Sequence, residues 1–275
     1  MKLKKLIIFG LSLGMTLFMI GCSSSSDENT SESNKLEEIK NRGKLIVATS
    51  ADYPPYEFHK IIDGKDTIVG LDAMIAKDIA DGIGVELEFL DMDFDGVLGA
   101  VNADKADLVL AGMTATDERK ESVNFSEPYY HEKNKIIVRK GDEDIAKTED
   151  NVKNMKMGVQ KGSIQETFIA ETLGSINYKS LAKIPDLILE LQNGNIDGIL
   201  CSENVTNINI DSYEGISVAN STVGEDIHKG ASVAFKKDDS TKELVEVVNK
   251  ILKGLNESGT IDKYMEGARN LAKEE

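Results

Sequence analysis

Cysteine is scarce in this chain: its 275 residues hold two, Cys22 and Cys201. Once Cys22 is taken up by the modification argued below, no intramolecular disulfide is left. Cys201 lies within an apolar run and reads as a buried small residue, not a nucleophile. The three histidines, His59, His131 and His228, stand far apart with no metal-ligand spacing. That excludes a zinc site, and no metal is expected. Basic residues are in deficit, 32 against 48 acidic ones, for a formal net charge of −16. Such a balance excludes a nucleic-acid binder and adhesion to anionic lipid by charge. It leaves room for a small anion in a local basic pocket. No Gly-x-Ser-x-Gly elbow, Walker loop or His-Glu-x-x-His pair occurs. Carboxylates are too numerous for any two to be nominated as an acid–base couple, so no catalytic residue is assigned. Proline is rare, and no internal repeat is evident.

What is present begins with a targeting segment. Met1 to Lys5 carries three lysines, and Leu6 to Ile20 is apolar apart from Ser12 and Thr16. That run is short for a membrane-spanning helix. Gly21-Cys22 and four serines follow, which makes residues 1–21 a secretory signal. The Gly21-Cys22 step resembles a bacterial lipobox, with Met19 where that motif usually has Leu. Acylation of Cys22, with palmitate, would then anchor the chain on the extracytoplasmic face of the cell membrane. A cleaved secreted protein and an uncleaved membrane anchor are the alternatives. Ser23 to Asn34 holds nothing to bury and reads as a disordered tether, placed at residues 22–36. Loss of residues 1–21 removes three lysines and no acid, leaving a net charge of −19.

Downstream, strands and helices alternate as in an α/β protein with largely parallel sheets. Lys44–Thr49 reads as a buried strand. Leu71, Met74, Ile75 and Ile79 fall at helical spacing before Gly82 and Gly84. Val85, Leu87 and Phe89 alternate. Phe94, Val97, Leu98 and Val101 mark a short helix, Ala106–Gly112 a strand, and Ile136-Ile137-Val138 another. A second α/β unit starts at Met155. It has a strand to Gln160, a turn at Gly162, a capping box from Ser163 to Glu166, a helix after Pro185 and a strand at Ile199–Cys201. Ser232–Phe235 is a strand pointing back to the first unit, followed by one helix capped by Ser240 and another from Thr260.

Three constellations carry chemistry. In the first, an apolar strand ends in Gly112-Met113-Thr114, and Thr116 stands where a helix N-cap belongs, placing Arg119 on the first turn. A rigid fork of donors beside a helix start suits a small carboxylate. An ion pair of Arg119 with Glu118 or Glu121 on the surface is the alternative. In the second, Tyr53-Pro54-Pro55-Tyr56 offers an aromatic wall, or else loop tyrosines that cover core. In the third, Gln160-Lys161-Gly162-Ser163-Ile164-Gln165 repeats a glycine turn feeding a helix start, or is a plain capping box. Asp91-Met92-Asp93-Phe94-Asp95-Gly96 imitates half a calcium loop. Its twelfth position is Asn102 where Glu is needed, so strand followed by helix explains it better. Phe94 is then placed to face the same cleft as Tyr53.

Together these motifs resemble the extracytoplasmic solute-binding proteins, family 3, of polar amino acid ABC importers. The resemblance runs from about Gly43 to Ala268 and includes Val69-Gly70-Leu71-Asp72, Phe125-Ser126-Glu127-Pro128-Tyr129-Tyr130 and Gly259-Thr260-Ile261-Asp262-Lys263-Tyr264. It implies a two-lobed periplasmic-binding-protein-like fold with a double-crossover hinge. Lobe 1 would be 37–139 plus 232–275 and lobe 2 140–231, with crossings near 139–141 and 229–232. It also implies a non-enzymatic monomer that captures a free α-amino acid and passes it to an ABC permease with a cytoplasmic ATPase, without a cofactor.

By the same resemblance Arg119 grips the α-carboxylate, helped by Thr114, while the Gly112 carbonyl meets the α-ammonium, and Met113 between them is counted with the ligand-binding residues. Ser163, Ile164 and Gln165 belong to the facing helix start, Ser163 and Ile164 giving backbone N–H groups. Tyr53 and Phe94 match the family's aromatic clamp, with Tyr56 beside them. Where the family usually has an acid for the ammonium, this chain has Ser202, followed by Glu203, and either is a candidate for that role. Ser50 leans against a strictly cationic ligand, while Asp52 and Asp93 lean towards one, so the ligand side chain is left open. The rival readings are a cyclohexadienyl dehydratase-like enzyme on the same scaffold and a ligand sensor. A sensor would continue into a membrane helix or signalling domain, and a lytic transglycosylase relative would need a further domain past Glu275.

Overall fold

The computed structural model describes residues 34–174, 177–224, 227 and 229–274. The signal segment, Cys22 and the tether up to residue 33 lie outside the described residues. Helix α1 (Lys35–Arg42) opens the described chain. The Asn34 side chain caps it by accepting from the Leu36 N–H, and Gly43 ends it in left-handed conformation. Residues 35 and 36, expected to belong to the tether, are therefore part of this helix. The reason is an apolar stripe, Leu36 and Ile39, which this helix buries in the core.

Charge fixes the same helix from its other side. Lys35 lies 3.2 Å from Asp107, a carboxylate 2% exposed that also pairs with Arg42 and accepts from the Ile46 N–H at 2.8 Å. Replacing Asp107 by Ala leaves these donors unanswered and should cost about 2 kcal/mol. A urea unfolding midpoint equal to the native one would refute that anchoring.

The first α/β run contains β1 (Lys44–Thr49), β2 (Asp52–Tyr53), β3 (Glu57–Ile62), β4 (Lys65–Val69), α2 (Leu71–Ile83), β5 (Glu86–Asp91), α3 (Val97–Asn102), β6 (Leu108–Val109), α4 (Asp117–Ser122) and β7 (Val123–Phe125). The second contains β8 (Asn134–Arg139), α5 (Glu149–Asn154), β9 (Met157–Gln160), α6 (Ile164–Thr167), β10 (Tyr178–Leu181), α7 (Ile184–Gln192), β11 (Gly198–Ser202), α8 (Glu203–Ser212) and β12 (Ile216–Val218). The chain closes with β13 (Ala234–Lys236), α9 (Lys242–Glu257) and α10 (Thr260–Lys273).

These strands form two five-stranded sheets and a small antiparallel one, β2-β3-β4. The first large sheet has the order β5-β1-β6-β13-β7, with β1 parallel to β5 and β6 and β13 antiparallel to its neighbours. The second has the order β10-β9-β11-β8-β12, with β8 antiparallel to β11 and β12. Helical stripes cover them: Leu71, Ile75 and Ile79 of α2 and Leu244, Val248 and Leu252 of α9 on the first, Leu187, Ile188 and Leu191 of α7 on the second. Each such side chain contributes roughly 2 kcal/mol of burial.

The chain leaves the first sheet after Phe125, enters the second at Asn134, and returns between Val218 and Ala234. The two connections run side by side, Tyr129 N–H donating to the Ala231 carbonyl and Ala231 N–H to that of Tyr130, both at 2.8 Å. The return includes the expected 229–232. The outward crossing does not fall at 139–141, because residues 134–139 pair inside the second sheet. The periodicity of Ile136-Ile137-Val138 shows a strand; its partners are set by contacts far away in sequence. Ser240 does not cap α9 either. Asp238 accepts from the Ser240 N–H and starts a 3-10 turn that leads into the helix. No described helix is long and apolar enough to cross a membrane.

Candidate functional site

The tips of β1, β6 and β9 bring the three constellations to one place. After β6 the chain turns at Gly112, whose φ of +54° suits a residue without a side chain. A Cβ there would lie 3.6 Å from the rings of Tyr53 and Tyr56. Thr116 caps α4, its hydroxyl accepting from the Arg119 N–H at 3.2 Å, so Arg119 leaves the first turn of the helix towards the cleft. Its guanidinium is half-buried. Nη1 donates to the Thr114 carbonyl at 2.7 Å and Nη2 to the Gly162 carbonyl at 2.9 Å, while the group stands 5.6 Å over the Phe94 ring. Among the described residues no carboxylate lies within 4.0 Å of it, so the surface ion pair with Glu118 or Glu121 is not formed. Burial brings its pKa down to about 10.

Gly162 belongs to the second sheet's side of the cleft. Its φ of +75° makes the turn into α6, and a Cβ would meet the Asp95 Cβ at 3.0 Å. Ser163 caps α6 by accepting from the Glu166 N–H at 3.1 Å, and Glu166 reaches back to the Gly162 N–H at 2.6 Å. The Ser163 N–H is used in the turn, by the Gln160 carbonyl at 3.2 Å. That leaves the N–H groups of Ile164 and Gln165 at the head of the helix, with no carbonyl four residues back.

Further contacts cross the cleft. Asp95 pairs with Lys161 at 2.8 Å, and Asp52 accepts from the Ile184 N–H at 3.2 Å. Between the two sides remains a space of about 20 Å³, lined by Tyr53, Phe94, Ala111, Gly112, Thr114 and Arg119 on one side and Gln160, Ser163, Ile164 and Gln165 on the other. It has room for about one water. A wider cavity of about 610 Å³ opens on the outer side of Arg119, along Leu98 and Phe168.

Of the residues expected from sequence, Tyr53, Phe94, Gly112, Thr114, Arg119, Ser163, Ile164 and Gln165 meet at this space. Four do not line it. The Met113 side chain is 1% exposed and packs in the core beneath, with Val97 and Val101. Tyr56 is fully buried, and its hydroxyl bonds Glu132. Ser202 is fully buried at the end of β11, its N–H 3.5 Å from the Tyr53 hydroxyl. Glu203 points to Lys135 at 3.9 Å. Gln160, which opens the third constellation, and Ala111, at the end of the strand before Gly112, also line the space, although neither was assigned a binding role from sequence.

Known proteins give the arrangement its family. The model of the bacterial extracellular solute-binding proteins, family 3, matches residues 45–267. The chain belongs to this family.

This solute-binding protein is 35% identical over 266 residues to the arginine-binding extracellular protein ArtP of Bacillus subtilis (strain 168), covering 95% of its own length and 96% of the relative's. It is 30% identical to a probable histidine-binding protein of Campylobacter jejuni, over 95% and 96% of the two chains. Among solved structures it resembles the amino acid ABC transporter substrate-binding protein AbpA of Streptococcus pneumoniae bound to L-arginine. The TM-score is 0.82 at 40% identity, covering 87% of this chain and 100% of that one. These relatives are binding proteins.

Behind the site the solute-binding protein holds a buried acid pair. Asp72 accepts from the Gly112 N–H at 2.7 Å and the Tyr129 hydroxyl at 2.8 Å, which fixes the Gly112 turn. Glu57 lies beside it, 1% exposed, with no hydrogen-bond donor in normal geometry. Burial, and then the charge of Asp72, pushes the Glu57 carboxyl well above its ordinary range. Burial likewise pushes Asp72 up to about 6, against the pull of Gly112 and Tyr129. Both folded values exceed the unfolded ones, so the native state holds extra protons. Stability is then lost as pH rises from about 4 through the folded values. Glu57→Gln keeps the shape and removes one titrating group, so its melting temperature should fall less than the native one between about pH 5 and pH 8. Parallel curves would refute the assignment.

Proposed function

We propose that this protein binds a free α-amino acid between the two sheets' sides, each side with its own helices forming a lobe. The observation that carries this reading is Arg119, a half-buried guanidinium that meets two carbonyls and no carboxylate. A cation in that position is matched by an anion from outside. The flanking N–H groups of α6 and the rings of Tyr53 and Phe94 suit an α-carboxylate carried on a compact organic body. L-Arginine is the first ligand to test, from the likeness to arginine-binding relatives and the strongly acidic surface, which attracts a cation. Lobe 1 comprises residues 35–125 and 234–273, lobe 2 residues 134–218, with the paired connections as the hinge.

The protein then hands its ligand to a permease driven by a cytoplasmic ATPase. It works as a monomer held to the outer face of the membrane by acylated Cys22, and it has no turnover of its own. Thermal-shift and calorimetric titration of the mature chain with L-arginine, L-histidine, L-cystine and the remaining amino acids test the reading. A ligand present at 100 times its Kd adds about 2.7 kcal/mol of stability. Silence from every amino acid would refute it, and turnover of arogenate or prephenate would favour the enzyme.

A further inference from the structure

A free amino acid carries two charges into the cleft, and Arg119 answers one of them. The α-ammonium also needs an anion or a set of acceptors once water is excluded. Among the described residues, the lining of the inner space holds no carboxylate. The acids nearby are accounted for one by one. Asp52 takes the Ser50 hydroxyl at 2.9 Å and the Ile184 N–H at 3.2 Å. Asp95 is paired with Lys161. Asp72 sits behind Gly112 and is filled by its donors. Asp93 is exposed, and Glu203 turns outward to Lys135.

Glu132 has donors too, and what sets it apart is its place next to the Ser202 side chain. It lies on the outward connection of the hinge, where one carboxylate oxygen accepts from the Tyr56 hydroxyl and the other from the Asn204 N–H at 2.8 Å. The carboxyl group is thereby held between a ring of lobe 1 and the start of α8 in lobe 2; burial pushes its pKa up, and the bonds from Tyr56 and Asn204 pull against that. Beside it is Ser202, 0% exposed, whose hydroxyl has no hydrogen-bond partner. Tyr53 connects this pair to the cleft: its ring lines the inner space and its hydroxyl approaches the Ser202 N–H. Burial chiefly pushes the Tyr53 hydroxyl up, and the charge of Glu132 adds to it, so the groups are in electrostatic reach.

We propose that Glu132, acting with the Ser202 hydroxyl, is the counter-charge for the ligand's α-ammonium. Ser202 turns its O–H towards Glu132 and offers its lone pairs to an ammonium N–H, so that a hydroxyl and a more distant carboxylate together do the work of an acid at position 202. Glu132 is thus a positioning residue. The inference rests on the reading that the ligand is a free amino acid.

Two probes separate the charges: L-arginine, and 5-guanidinopentanoate, which has the same carboxylate and guanidinium but no ammonium. Calorimetry on the native protein comes first. If neither L-arginine nor any other amino acid binds, the functional reading fails before this one is reached. If another amino acid binds, it and its desamino counterpart replace the pair. Glu132→Gln should weaken L-arginine at least about tenfold and leave 5-guanidinopentanoate within about twofold. Ser202→Ala, which keeps Glu132 and its two bonds, should show the same pattern in smaller measure. Ser202→Asp added to Glu132→Gln should restore L-arginine binding, which a merely structural role for Glu132 would not allow. Equal losses for both probes, no loss for either, or no rescue would overturn the assignment.

Discussion

Replacing Arg119 by Ala should weaken amino acid binding by roughly 2–5 kcal/mol, about 30-fold to several thousandfold. The upper part of that range applies when the ligand carboxylate is left in a dry cleft with only the N–H groups of Ile164 and Gln165 and the Thr114 hydroxyl around it. Arg119→Lys should fall between the two, since it keeps the charge and loses the planar fork and its stacking on Phe94. Neither change should disturb the fold, because Arg119 spends its donors on two carbonyls at the cleft and supports no core residue. Titration calorimetry beside an unchanged melting curve is the decisive pair of measurements. Native affinity in Arg119→Ala would remove the carboxylate role from this residue altogether.

The second large effect is on the scaffold. Gly70→Ala should destabilise the protein by roughly 3–5 kcal/mol, from backbone strain and a steric clash together. Gly70 has a φ of +124°, and a Cβ there would stand 2.2 Å from the Tyr56 carbonyl oxygen and 2.8 Å from that of Pro55. Both are backbone atoms and cannot swing aside as a flexible side chain would. They are also fixed from the other direction, since Leu71 N–H donates to the Pro55 carbonyl at 3.0 Å and Asp72 N–H to that of Tyr56 at 2.9 Å. The start of α2 thus clamps the turn that presents Tyr53. At this chain length the melting temperature should drop by roughly 10 °C, with weakened ligand binding in whatever still folds. A Gly70→Ala protein that melts with the native one would show that the turn can relax.

Much of this was legible in the chain before any coordinates. Leu71, Ile75 and Ile79 announce α2 because a helix covering a sheet needs an apolar stripe at that spacing. Thr116 and Ser163 announce the two helix starts because their hydroxyls replace missing backbone partners. Arg119 could be aimed at the cleft for the same reason: a cap fixes which residue sits on the first turn. What could not be read were features set by distant partners. Strand 134–139 has a clear period and no local mark of its sheet. Met113 alternates like a site residue, yet the twist at Gly112 turns its side chain into the core. Glu132 stands in a stretch without period or motif, and only the folding of the hinge brings it to Ser202. Glu203, adjacent in sequence to the expected position, is carried outward by the first turn of α8.

The contact between Asp52 and the Ile184 N–H has a consequence for how loading is reported. Helix α7 has no side-chain cap of its own, and the carboxylate that serves it comes from the opposite lobe. Parted lobes surrender that bond to water; closed lobes regain it whether or not anything lies between them. On the reading proposed above, Asp52 would act as a catch that needs no cargo and would bias the empty protein towards the shape of the full one. A transporter that judges its visitors by shape would be called upon by empty carriers too. The firmer the catch, the less a closed outline says about what is inside.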